Sequence, residues 1–203
     1  MGSLPSKSTA AVMMSLSSLH CYRRVHKGCR YAKAAYRLYF LTGISTIVRD
    51  TIFSPSEYFV TLTDVLFAWC YVLGLPLLAA DVCRCSGALP DLAAVHLIIP
   101  VASLTMFHVN PEHVDPYLLA VSHSCSILAI LVCGVVSGHS ASFAFSLSYY
   151  FAMFSDTLRQ GLGLIQFNML DPMFDKGRMV DFMEHWQFII AISNLFSAYL
   201  LPR

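Results

Sequence analysis

From residue 58 onward the chain is dominated by apolar runs of near-membrane length, separated by short polar breaks. A bilayer-crossing helix takes about 20 mostly apolar residues. Five stretches meet or approach that length. Tyr58–Ala80 lies between Pro55 and Asp81, and Leu92–Val109 stops at Asn110-Pro111. Tyr117–Ser137 follows Pro116. A fourth stretch opens at Ala141, stays apolar to Phe154, meets Asp156 and Arg159, and continues to Leu170. The last, Phe182–Leu201, is closed by Pro202. The pattern predicts an all-α, polytopic membrane bundle of about five spans over residues 50–203, with tight hairpins at 110–116 and 138–140.

The first 49 residues read differently. They carry Lys7, Arg23, Arg24, Lys27, Arg30, Lys33, Arg37 and Arg49 and no acid, for a net +8, while the remainder is −7. Arg23, Lys27, Arg30 and Arg37 fall on one face of a helix if the segment is continuous. Tyr36–Val48 is too short and too flanked by Arg to span. The expectation is an amphipathic basic helix at the membrane surface. Its Arg and Ser enrichment without acids has the character of a mitochondrial targeting segment. Arg23, Arg24, Lys27, Arg30, Lys33 and Arg37 are then candidates to bind anionic lipid such as cardiolipin. The positive-inside bias keeps this amino terminus in the matrix, or in the cytosol if the membrane is that of the ER or the cell surface.

Composition narrows the class further. Hydrophobic residues make up 57% and charged residues 12% of 203 positions, and the mean hydropathy is +0.62. Water-soluble domains average about 25% charged residues. A soluble globule and a disordered chain are both excluded on that ground. Seven Cys, an odd number, argue against a disulfide-built secreted module.

Arg159, with Asp156 one helical turn before it, stands inside an apolar stretch, and an intramembrane Arg is a functional candidate. Glu184, His185, Gln187 and Asn194 lie on the helix that follows, and Asp64 lies in the first span. The order of a tight hairpin, a long helix with a central Arg, and a final helix with polar residues resembles subunit a of rotary ATP synthases over residues 141–201. That resemblance implies a proton path using Arg159, Glu184, His185, Gln187 and Asn194.

A second constellation is His108, His113 and Asp115, with Glu112 between them and His123 and His185 further on. Histidine with carboxylate oxygens suits zinc or iron. Ser103, His108, Asp115 and His185 faintly resemble the membrane hydrolases that include alkaline ceramidases and adiponectin-type receptors, which implies metal-dependent hydrolysis. A haem held by two of His96, His108, His123 and His185 is a third possibility. Cys83 and Cys85 form a C-x-C in the loop expected after the first span. No phosphate-binding Gly loop or nucleophile elbow is present, and the basic cluster is assigned to targeting or lipid rather than nucleic acid.

The sequence reading is a non-catalytic integral membrane subunit of a mitochondrial inner-membrane energy-transducing complex, an ATP synthase or the respiratory chain. Its partners are other membrane subunits and anionic lipid, and no cofactor is expected. A proton-conducting subunit and a metal-dependent hydrolase are the alternatives.

Overall fold

The computed structural model describes residues 4–52, 55–87, 93–109, 116–161 and 176–202, with side chains for 9–52, 55–87, 93–109, 117–151 and 185–202. Among them there are seven α-helices and no strand: α1 (Leu4–Arg24), α2 (Arg30–Thr51), α3 (Glu57–Cys85), α4 (Ile98–Val109, entered through a 3-10 turn Val95–Leu97), α5 (Pro116–Val136), α6 (Ala141–Gly161) and α7 (Lys176–Ser197). The all-α class is as expected. Each of the five segments expected to span overlaps a helix, α3 to α7, and α1 and α2 stand where a single basic helix is expected; two helices are long and apolar enough to cross a membrane.

The largest departure is in the basic segment, whose residues 4–49 hold α1 and most of α2. The expected single basic stripe is broken at 25–29, where Gly28 weakens helix propensity and donates its amide to Nδ1 of His26 at 3.0 Å. Both helices are built into the bundle. α1 buries Ala11, Met14, Ser18 and Cys21, and α2 buries Ala32, Ala35, Tyr36, Tyr39 and Gly43. Small residues let the backbones approach closely, as they do where membrane helices cross. A Cβ on Gly43 would stand 2.9 Å from the Ala11 carbonyl oxygen. Counting consecutive apolar residues passes over α2 because Arg37 and Arg49 bound its apolar stretch and its buried face mixes Ala with Gly, Tyr, Ser and Thr. Their hydroxyls are satisfied by neighbours: Thr42 Oγ1 donates to the Leu66 carbonyl at 3.2 Å, and Tyr36 Oη pairs with Ser197 Oγ at 2.7 Å.

α3 starts as its sequence dictates. Ser56 caps it by accepting the Phe59 amide, with Glu57 in the first turn. It does not stop at Asp81, the expected boundary, but continues to Cys85. Asp81 is wholly buried and serves another helix: its Oδ2 accepts the Ala32 amide at 2.7 Å, in the first turn of α2, and its Oδ1 pairs with Arg84 at 2.9 Å. A carboxylate borrowed from α3 therefore caps α2. The second expected span is only Val95–Val109, which is short of a bilayer crossing. The third matches α5. α6 ends at Gly161, so the expected run on to Leu170 lies outside the described residues.

Each helix of α1, α2, α3, α5, α6 and α7 packs against the next, and α7 packs back on α1, which closes a ring of six; α4 lies outside, against α3 and α5. The α5–α6 hairpin turns through Gly138, whose φ of +75° only glycine adopts freely. Aromatic rings fill the centre of the ring. Trp186 of α7 lies 5.2 Å from Phe67, 6.0 Å from Tyr71 and 6.2 Å from Tyr39. The Tyr39 hydroxyl meets that of Tyr149, from α6, at 2.7 Å.

Candidate functional site

Charge sorts to the two ends of this bundle. One end gathers the α1–α2 turn, the carboxyl ends of α3 and α7 and the α5–α6 turn, tied by the His26 amide donating to the Pro202 carbonyl at 2.9 Å and by Arg84 donating to the Gly28 carbonyl. Among the described side chains it carries Arg23, Arg24, Lys27, Arg30, Lys33, Arg37 and Arg84 against one acid, the buried Asp81. The opposite end carries Asp50, Glu57 and Asp64 against Arg49. All six candidate lipid-binding bases thus stand together, although α1 and α2 share them.

Tyrosine rings hold several of these cations in place. Arg24 lies 4.3 Å from the centre of the Tyr199 ring. Lys33 and Arg37 both lie on Tyr22, at 5.2 and 5.1 Å, and Arg37 Nη2 donates to the Tyr22 hydroxyl at 2.7 Å. Cation–π contacts at exposed sites contribute about 0.5–1 kcal/mol each, enough to orient a side chain while leaving its charge available. In the same turn Cys29 lies 3.7 Å from Cys85. Burial, and then the neighbouring Cys85 thiol, push the Cys29 thiol up to about 12, so at neutral pH Cys29 packs as an uncharged group.

The residues expected to form a proton path fall into separate contacts. Asp64 lies 3.6 Å from Arg49, and Gln187 Nε2 donates to Thr46 Oγ1, one turn before Arg49, at 3.0 Å. Those two therefore meet the same stretch of α2, and His185 is exposed nearby on α7. Asn194 is about two turns further along, wholly buried, and its amide donates to Ser18 at 3.0 Å and Ser17 at 3.3 Å. Asn194 thus links α7 to α1. Replacing it with Ala is expected to lower stability by about 1 kcal/mol, read as an earlier midpoint in detergent denaturation. The side chains of Arg159 and Glu184 lie outside those described.

The metal candidates are similarly dispersed. His108 is exposed at the end of α4 and accepts from Trp69 Nε1 at 2.8 Å, while Ser103 of the same helix is buried. α4 packs on α3 and α5, whereas His185 stands on α7, which packs on α1 and α6. His113 and Asp115 lie outside the described residues. Among the described residues no three His, Cys, Asp or Glu side chains converge where they could hold an ion. Of the haem candidates, His96 lies 3.8 Å from Cys83 and His123 lies buried against Tyr71. The α3 residues they touch, Cys83 and Tyr71, are about 18 Å apart along the helix, so the two histidines do not face one ligand.

Sequence reasoning missed Asp81 and Tyr22. An acid followed three residues later by Arg was a visible signal for an ion pair, but nothing in the chain pattern names the helix it caps. No family model, curated protein or solved structure matches this chain.

Proposed function

We propose that the chain is an integral membrane protein of seven helices with a non-catalytic role, a subunit that scaffolds a larger membrane assembly. The observation that carries this reading is the inverted distribution of polarity. Ile98, Leu128, Val132, Val135 and Phe143 are each more than half exposed on α4, α5 and α6, whereas Ser18, Thr42, Ser193 and Asn194 are wholly buried. Water-soluble monomers expose polar groups and rarely carry apolar surface this extensive. Hydrocarbon reverses the preference: polar side chains pair between helices, and apolar ones face lipid.

Two helices, Glu57–Cys85 and Tyr117–Val136, are long and apolar enough to cross a membrane. α1, α2, α6 and α7 have 21 or 22 residues, or about 32 Å of helix. The positive-inside rule puts the basic end on the cytosolic or matrix side. On this reading the Leu4 end of α1 faces the opposite side, the reverse of the sequence expectation, because the bases stand at the α1–α2 turn. The non-catalytic role is supported by the aromatic filling of the ring and by the interhelix contacts of Gln187 and Asn194. The acid-free, Arg-rich first 49 residues have the character of a mitochondrial targeting segment, which favours the mitochondrial inner membrane.

Two measurements test this. After alkaline carbonate extraction the chain is expected to stay in the membrane pellet, and release into the supernatant would end the membrane reading. Native electrophoresis with mass spectrometry, after mild detergent extraction, is expected to find it in a large complex. Migration as a small species would end the subunit reading.

A further inference from the structure

A groove of about 360 Å³ runs between α1 and α2 on the outside of the bundle, lined by Leu19, Tyr22, Tyr36, Arg37, Phe40 and Leu41. Its chemistry is graded along the helix axis. Counting from the start of α2 at 1.5 Å per residue, Lys33 lies about 5 Å in, Arg37 about 10 Å, and Phe40 and Leu41 about 15–17 Å. α1 runs the other way, so Tyr22 stands beside the cations and Leu19 beside the apolar part. Exposed apolar side chains continue inward on both helices as Leu16, Leu41 and Ile44.

At the head of the groove two cations share one ring. Arg37 is exposed, uses one of its five N–H donors on Tyr22, and has no carboxylate within ion-pair distance among the described residues, nor has Lys33. Two unneutralised charges above an apolar trough match one molecule in a bilayer. We infer that this groove binds a single anionic phospholipid, its phosphate on Lys33 and Arg37 and an acyl chain along Leu19, Phe40 and Leu41. The reading rests on the membrane assignment above. A zwitterionic lipid offers the same phosphate but brings its own cation to a site that already has two. A partner helix would need acids placed over the head of the groove and apolar residues below.

The full chain, reconstituted in bilayer discs of equal phosphatidylglycerol and phosphatidylcholine, is released into mild detergent and weighed intact. One retained phosphatidylglycerol is expected, favoured about tenfold or more over phosphatidylcholine. Lys33→Gln with Arg37→Gln is expected to abolish the preference. Arg23→Gln with Lys27→Gln, equally basic but away from the groove, is expected to keep it. Leu41→Trp, which fills the trough, is expected to lose both lipids. Equal retention of the two lipids by the wild-type chain overturns the proposal, as does displacement by inorganic phosphate. So does an equal loss in the two charge pairs, which would mean a diffuse basic surface. If Lys33→Gln with Arg37→Gln fails to fold, the wild-type preference and Leu41→Trp still decide. Carbonate extraction separates the failures: a chain that stays in the membrane without lipid preference refutes the groove alone.

Discussion

Replacing Asp81 with Ala is expected to cost about 3 kcal/mol, the largest loss from any single side chain described here. The carboxylate is wholly buried and accepts the Ala32 amide at 2.7 Å, so it does for α2 what an N-cap side chain normally does from within the helix. Losing a cap costs about 1 kcal/mol where water replaces it, and a buried donor left without any partner raises that cost to about 1–3 kcal/mol. Arg84, paired to the other oxygen at 2.9 Å, is one-third exposed, so water takes over its charge and its share is small. Asp81→Asn keeps an acceptor for the Ala32 amide and is expected to recover about half of the loss. Arg84→Ala is expected to cost less than either. The measurement is loss of helical circular dichroism in mixed detergent micelles of rising denaturant fraction. A change under about 0.5 kcal/mol for Asp81→Ala would show that α3 does not cap α2.

Substituting Gly43 with Val is expected to cost about 2–3 kcal/mol by forcing α1 and α2 apart. Even a Cβ at this position would stand 2.2 Å from Ser15 Oγ and 2.9 Å from the Ala11 carbonyl oxygen. The hydroxyl is able to rotate away, but the carbonyl belongs to the α1 backbone and moves only with the helix. Pairing Gly43→Ala with Ser15→Ala is therefore expected to recover part of the loss of Gly43→Ala alone, and a double-mutant cycle reads the coupling. The outcome also decides between two pictures of the amino-terminal region. A detached basic helix at the membrane surface would tolerate Val at position 43, whereas a helix packed against α1 does not. Near-wild-type stability of Gly43→Val would restore the former.

The legible part of this fold was carried by long, strongly apolar segments. α5 was read nearly to the residue because Pro116 opens it and its run of apolar residues ends at the Gly138 turn. The start of α3 was visible in Pro55, Ser56 and Glu57, but its end was not. Asp81 was read as a boundary because a carboxylate in an apolar helix is costly without partners, and both partners come from the fold. α2 was lost for the same reason: Tyr36, Tyr39, Thr42 and Thr46 count as polar along the chain and become interior once hydroxyls from α6 and α7, the Leu66 carbonyl of α3 and the Gln187 amide meet them.

The candidate site followed a similar division. The six bases between Arg23 and Arg37 are legible as one basic group from charge alone. The groove beneath Lys33 and Arg37 was not, because it exists only where α1 and α2 run antiparallel past one another. Gln187 and Asn194 were read as a polar lining on one helix, whereas the described contacts turn each toward a different neighbour, Thr46 of α2 and Ser17 and Ser18 of α1.

By itself the sequence determined the all-α class, the apolar character of the outer helices and the acid-free basic segment, since all three depend on which residues are present and in what local order. Tertiary structure alone decided that α1 and α2 belong to the bundle, that Asp81 caps a helix 49 residues earlier in the chain, and that Lys33 and Arg37 stand over an apolar groove. A polar group's environment is set by the groups that reach it in space, and those come from distant parts of the chain.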